Sequence, residues 1–150
     1  MLPEGFLDRT EKKGKVVGWV PQLKVLSHEA IGGFVSHCCW NSILESIWCV
    51  VPIGTWTLHS EQQMNAFQLV KEVGVAVAIS LDYCERTKDQ PMVTADAIEK
   101  EITELMEINT VVREKAKEMK EKSRASVIEG GSSYLSLGEL IDELLKNAAL

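Results

Sequence analysis

"FVSHCCWNSILE", residues 34–45, runs from a short apolar stretch into a helical pattern, with His37, Cys38, Cys39, Trp40, Asn41 and Ser42 at the handover. Phe34 and Val35 suit a strand. Ile43, Leu44, Ile47 and Trp48 then recur at helical spacing. A strand that feeds a helix N-terminus leaves free N–H groups pointing outward, and the helix dipole favours negative charge there. Asn41 and Ser42 can cap that helix or help to hold a phosphate, and His37 can donate a hydrogen bond to the same anion. Trp40 offers a flat face of the kind that packs on a sugar. Glu45, one turn further in, can accept two hydrogen bonds from vicinal hydroxyls. Plainer roles compete. Ser42 and Glu45 have the spacing of a capping box, which by itself accounts for both. His37 and Trp40 taken singly fit a core. Zinc on His37, Cys38 and Cys39 is disfavoured, because adjacent strand residues point to opposite faces.

Working outward, "KVVGWV" (15–20) reads as a strand that Pro21 stops, and "QLKVLSH" (22–28) as about two turns of helix. After the first helix following residue 40, "VPIGTW" (51–56) reads as a strand with Pro52 at its start. "SEQQMNAFQLVKEV" (60–73) reads as a helix with Met64, Phe67, Leu69 and Val70 towards the core, and Gly74 ends it before the strand "VAVAIS" (75–80). Strands alternating with helices predict an α/β fold with a parallel sheet. The second half changes character. "LDYCERTKDQPMV" (81–93) is a polar loop, and Thr94 then caps a helix with Ile98, Ile102, Leu105 and Met106 on one face. A charged helix over residues 110–128 carries a thin stripe of Val112, Ala116, Met119 and Val127, with Glu118 placed four residues before Lys122. "EGGSS" breaks it, and a last helix bears Leu137, Leu140, Ile141, Leu144 and Leu145.

The 150 residues suit one domain, and 45% apolar content is enough for a core. The net charge of −6 argues against a general nucleic-acid binder. No apolar run is long enough for a membrane span, and "MLPEGFLDRT" has no signal-peptide core. Cys38, Cys39, Cys49 and Cys84 lack framework spacing and are expected as reduced thiols in a cytoplasmic protein. Neither GxGxxG nor GxxxxGKS/T is present, so redox-dinucleotide and P-loop readings lack their motif.

The run "WVPQLKVLSHEAIGGFVSHCCWNSILESIWCVVPIGTWTLHSEQ", the 44 residues from Trp19 to Gln62, resembles the signature box of the plant family 1 UDP-glycosyltransferases. Trp19, Gln22, Leu26, His28, Phe34, His37, Cys38, Trp40, Asn41, Ser42, Glu45, Pro52, Trp56, Glu61 and Gln62 fall on its pattern. "LPEGFLDRT", "MNAFQLVKEVGVAV" and "EGGSSYLSLGELIDEL" are similar to flanking stretches of the family. The resemblance implies a Rossmann-like parallel sheet with flanking helices, the C-terminal, nucleotide-sugar-binding part of a GT-B glycosyltransferase, lacking that domain's first two strands. It implies one partial UDP-sugar-binding domain over residues 1–150, with the signature box at 19–62 and a helical segment at 94–150. Trp19 would stack on uracil, Gln22 and Glu45 would hold the ribose, and His37, Asn41 and Ser42 the diphosphate. Trp40, Glu61 and Gln62 would grip the sugar, and Gln62 at the last position of the box goes with glucose. UDP-glucose is then a donor substrate. No cofactor and no metal is implied. The whole enzyme would glucosylate, with inversion, a hydroxyl of a small lipophilic acceptor of flavonoid or terpenoid type. The family's catalytic His and its Asp partner lie in an N-terminal domain, and neither His28 nor His59 matches that base. No catalytic residue is therefore assigned, and a non-catalytic UDP-sugar-binding or decayed chain is the alternative.

Three positions depart from the family's pattern. The family has Gly where Cys39 and Val50 stand, and Pro where Thr57 stands. A side chain at 39 is expected to crowd the phosphates or strain the turn. Val50, if it is the residue after the helix, must take a positive φ that a β-branched side chain resists. Strand 34–37 is expected to present an open edge, and the last helix, which crosses to the other domain in the family, to expose its leucines.

Overall fold

The computed structural model describes residues 2–59, 61–81, 92–108 and 110–148. Its centre is a three-stranded parallel sheet in the order β1 (Phe34–Ser36), β2 (Ile53–Trp56), β3 (Ala76–Ser80). Phe34 pairs with Ile53 and Ser36 with Thr55, while Ile53 pairs with Ala76 and Thr55 with Ala78. Each crossover is helical, as parallel neighbours require. Helix α3 (Trp40–Cys49) joins β1 to β2, and α4 (Gln62–Phe67) runs directly into a π-helical segment (Gln68–Val73) before β3. Both crossover helices therefore start at the same end of the sheet, beyond the carboxyl ends of β1 and β2.

The core lies between this sheet and its helices. Cys38, Ile43, Ile53, Ala66, Leu69, Val75 and Ala76 form it, with Ile47, Val70, Val73 and Met119 packed around. Each fully buried aliphatic side chain of this kind contributes about 1.5–3 kcal/mol. On the other face, α5 (Ala95–Met106) seats Leu105 over two glycines. A Cβ on Gly33 would stand 2.8 Å from Leu105 Cδ2, and one on Gly54 2.9 Å from Ile79 Cδ1, so only glycine admits this approach. Arg113 locks the seat. Its guanidinium donates to the Gly32 carbonyl (2.7 Å) and the Leu105 carbonyl (3.0 Å), and also to that of Glu107. One planar fork thus ties the entry of β1 to the C-terminal end of α5.

Thr94 caps α5 by accepting from the Ala97 amide, as the sequence suggests, and Thr110 caps α6 (Val111–Val127) by accepting from the Arg113 amide. Glu118 meets Lys122 at 2.6 Å and Lys115 at 2.7 Å, on the solvent side. Arg124 lies over the Trp48 ring, 5.2 Å from its centroid, where α6 crosses α3. Helix α7 (Ser132–Ala148) buries no residue, and Leu137, Leu140, Ile141, Leu144 and Leu145 are all exposed, as expected. Val35 on β1 is exposed too, and among the described residues no strand pairs with that edge of the sheet. Among the described residues, no helix is long and apolar enough to cross a membrane.

Some expectations fail. Residues 15–20 form no strand, and Val16, Val17, Trp19 and Val20 are exposed. An extended segment becomes a strand only when a neighbour takes its backbone hydrogen bonds, and among the described residues this segment pairs with none, leaving the outer edge of β1 unpaired. Helix α2 (Gln22–Leu26) is shorter than predicted. Met64 and Phe67 face solvent; the buried face of the helix is Gln62, Ala66 and Leu69. Ala66 lets the helix lie close on the sheet, leaving no room inside for the larger neighbours. Ile102 and Met106 are likewise exposed beside the buried Leu105. Residues 82–91, which hold Cys84 and most of the predicted loop, lie outside the described residues.

Val50 behaves as expected. It sits at φ 62°, ψ 33°, just past α3. Its N–H donates to the Ile47 carbonyl (3.1 Å) and that of Val51 to the Ser46 carbonyl (3.0 Å), a Schellman ending with a β-branched residue in the left-handed position. This conformation costs a non-glycine residue about 1–2 kcal/mol. Val50→Gly is therefore expected to exceed Val50→Ala in unfolding free energy by about 1 kcal/mol, reversing the usual helix order of the two. Urea titration of both variants checks this, and an Ala variant as stable as the Gly variant contradicts it.

Candidate functional site

Where β1 ends, the chain turns sharply. Cys38 takes φ 67°, one of two non-glycine residues with positive φ among those described. The strain is held by a set of contacts. The Cys38 N–H donates to Ser36 Oγ (3.1 Å), its thiol to the Ser36 carbonyl (3.5 Å), and Asn65 Nδ2 donates to its carbonyl (3.0 Å). The Cys38 side chain is fully buried in the core. Burial pushes the thiol up to about 11, partly offset by a hydrogen bond from the Trp56 backbone, so it stays protonated at neutral pH.

Cys39 comes next at φ −63°, ψ 140°, an ordinary extended conformation, and is the N-cap of α3. The expectation that a side chain at 39 strains the turn is thus corrected: the strained residue is Cys38, one place earlier. The capping box is corrected as well. With Cys39 at the N-cap, Ser42 and Glu45 lie inside the helix, and no side chain caps its start. The first-turn N–H groups therefore lack both an intrahelical acceptor and a capping side chain. An exposed His37 stands before them and an exposed Asn41 among them.

One turn along α3, a second group assembles. Gln22 Nε2 donates to Glu45 Oε2 (2.8 Å) and to Ser42 Oγ (3.2 Å). One amide nitrogen thus spends both hydrogens tying α2 to α3, and it fixes the Glu45 carboxylate on the flank of the helix. The structure brings Gln22, Ser42 and Glu45 together. It does not bring Trp19 to them by contact: that ring is 92% exposed, three residues ahead of Gln22. Trp40 is half exposed on the other flank, where it lines an apolar hollow of about 460 Å³ with Ile43, Ile47, Leu69 and Met119.

The third group lies beyond β2. Glu61 is exposed at the N-cap of α4 and makes no capping bond. Gln62 is only 4% exposed. Its Oε1 accepts from the Leu58 N–H (2.9 Å) and the His59 N–H (3.1 Å). Two backbone donors settle which end of the amide is oxygen and leave its NH2 as the free end. Thr57, in the same turn, is buried, and its hydroxyl is the one buried side-chain polar atom without a partner among the described residues. His28 is not positioned as a base, since its Nδ1 accepts from the Ala30 N–H (3.1 Å). Among the described residues, no three His, Cys, Asp or Glu side chains are grouped to hold a metal ion.

Sequence reasoning missed Ser36 and Asn65, the two side chains that secure the turn. Asn65 was legible in one respect: it stands three residues after Gln62, on the same helical face. Taken together, the ends of β1 and β2 present uncapped amides, a pinned carboxylate and a pinned amide on one side of the sheet. Such a layout can receive an anion, a diol and a further polar group.

Comparison with known proteins agrees with the fold. The sequence model described as UDP-glucoronosyl and UDP-glucosyl transferase matches residues 3–94, more than half of the chain. UDP-glycosyltransferase 1 of Panax ginseng is 55% identical over 150 residues, covering 97% of this chain and 32% of the relative. The crystal structure of Medicago truncatula UGT71G1 complexed with UDP-glucose superposes with a TM-score of 0.85 at 54% identity, covering 94% of this chain and 30% of that one. A transferase from Siraitia grosvenorii in complex with UDP gives a TM-score of 0.84 at 50% identity, covering 95% and 32%. The chain thus spans about a third of the length of these relatives. Its parallel sheet, its crossover helices and its sequence assign it alike: the chain belongs to the UDP-glucoronosyl and UDP-glucosyl transferase family.

Proposed function

We propose that these residues form the donor-binding part of a glycosyltransferase whose donor is UDP-glucose. The observation that carries the reading is the uncapped start of α3, with the Gln22–Glu45 pair fixed one turn away. The diphosphate would lie on the first-turn amides, with His37, Asn41 and Ser42 beside it. Glu45, held by Gln22, would accept from the ribose hydroxyls, and Trp19 would swing its exposed ring onto uracil. Trp40, Glu61 and the free NH2 of Gln62 would face the sugar. Two similar proteins were crystallised with UDP-glucose and with UDP, which supports a ligand of this class.

In the whole protein, a general base supplied from outside these residues would deprotonate a hydroxyl of a small lipophilic acceptor. That oxygen would attack the anomeric carbon, with inversion, as the bond from that carbon to the UDP oxygen breaks. The charge that develops on UDP would be stabilised by the α3 amides. The 150 residues taken alone would then be a UDP-sugar-binding unit without turnover, since neither His28 nor His59 matches the family's catalytic base. No glucose transfer from UDP-glucose to a flavonol panel is expected from this chain. Product detected above a buffer blank by mass spectrometry contradicts that.

Glu45→Ala is expected to weaken UDP binding by about 10–100-fold, from the loss of charge-assisted bonds worth about 1.5–3 kcal/mol. Its stability should fall by only about 0.5–1.5 kcal/mol, from the lost bond to Gln22, which keeps Ser42 as an acceptor. A nucleotide lacking both ribose hydroxyls should bind the variant and the parent alike. Calorimetric titration with both nucleotides tests this. An equal loss for both places Glu45 away from the ribose, and no loss for either removes it from the site.

A further inference from the structure

We propose that Asn65 is a positioning residue for the donor diphosphate. It acts by holding the left-handed turn at Cys38 so that the α3 amides face the ligand. The inference rests on the donor-site reading above and adds to it a residue outside the signature box.

The turn is under local strain. Cys38 adopts φ 67° with a full side chain, a conformation that persists only where its surroundings over-determine it. Two of the contacts that secure it, both to Ser36, come from within β1 itself. From other elements, the Trp56 backbone on β2 bonds the buried thiol, and Asn65 on α4 reaches the Cys38 backbone, donating to its carbonyl at 3.0 Å. That carbonyl belongs to the peptide that ends in the Cys39 nitrogen. Its orientation sets the direction of the Cys39 N–H and the entry of the chain into α3. A rotation there would swing every free amide of the first turn.

Asn65 is itself well placed to act as a strut. It is half-buried on α4, one turn from Gln62, whose side chain holds the Leu58 and His59 amides after β2. Its N–H bonds to the Glu61 carbonyl (3.0 Å). The first turn of α4 thus clamps both loops at the carboxyl end of the sheet: Gln62 holds the one after β2, and Asn65 the one after β1. The hydrogen bond is from amide to carbonyl, so it needs a donor. An ionised Asp of the same shape offers only acceptors and would oppose the Cys38 oxygen.

The test uses the 150-residue chain and its Asn65→Ala, Asn65→Asp and Asn65→Gln variants. UDP affinity is measured by calorimetry, folding by thermal melt, and the turn by the Cys38 carbonyl and the residue 37–41 amide resonances in NMR spectra. Asn65→Ala and Asn65→Asp are expected to fold, to shift those resonances and to lose UDP affinity by about tenfold or more. Asn65→Gln, which keeps the donor, is expected to recover part of the loss. Variants that bind UDP as tightly as the parent overturn the proposal. So do unchanged resonances at 37–41, whether or not UDP binds. Loss of cooperative melting in both the Ala and Asp variants also overturns it, by making Asn65 a residue of the core. A parent chain that binds no UDP overturns the donor-site reading instead, and the resonances alone then decide whether Asn65 holds the turn.

Discussion

The site depends on one backbone conformation, the left-handed turn at Cys38. A strand that ran straight into α3 would aim the first-turn amides along the strand axis. The turn re-aims them past the carboxyl end of the sheet, beside α2 and α4. The cost of placing a cysteine there is of order 1–3 kcal/mol. It is offset by burying the side chain completely and by hydrogen bonds to Ser36 and Asn65. Because those bonds come from β1 and α4, the geometry of the anion end is coupled to the packing of the sheet. Cys39 then enters the helix unstrained and leaves its start without a capping side chain.

The same economy of contacts explains what the chain leaves open. Among the described residues, β2 is the only strand flanked on both sides, and its residues Ile53, Gly54 and Thr55 are buried. β1 has one partner, and its far edge carries the exposed Val35. The apolar side chains of α7 find no cover among the described residues. These surfaces lie on a chain that spans about a third of the length of its relatives. Unpaired edges and apolar stripes of this kind favour association.

Periodicity was a sound guide wherever a segment has its packing partners. The strands and helices between Phe34 and Ser80 follow the order read from apolar spacing and from Gly and Pro punctuation. It failed at 15–20, where β-propensity is real but the segment pairs with no strand among the described residues. It failed at Met64 and Phe67, because hydrophobicity cannot say that a close helix–sheet approach selects Ala66 and a hydrogen-bonded Gln62 for the inside. The spacing of Ser42 and Glu45 suited a capping box, yet the helix begins three residues earlier than that box would place it, at Trp40, and both turn inward to Gln22 instead. The cysteine pair drew attention to the right turn but to the wrong member of it. Left-handed conformations in non-glycine residues are set by tertiary contacts, and only Val50 could be anticipated, from its place after a helix.

The central claim is that the uncapped start of α3, aimed by the Cys38 turn, receives a diphosphate. The most direct measurement is a comparison of backbone amide shifts of the ¹⁵N-labelled chain during titration with UDP and with uridine. The account predicts that the Trp40, Asn41 and Ser42 amides move on addition of UDP and stay in place with uridine. Equal movement with both ligands, or a response to UDP confined to residues away from the β1–α3 turn, would contradict it.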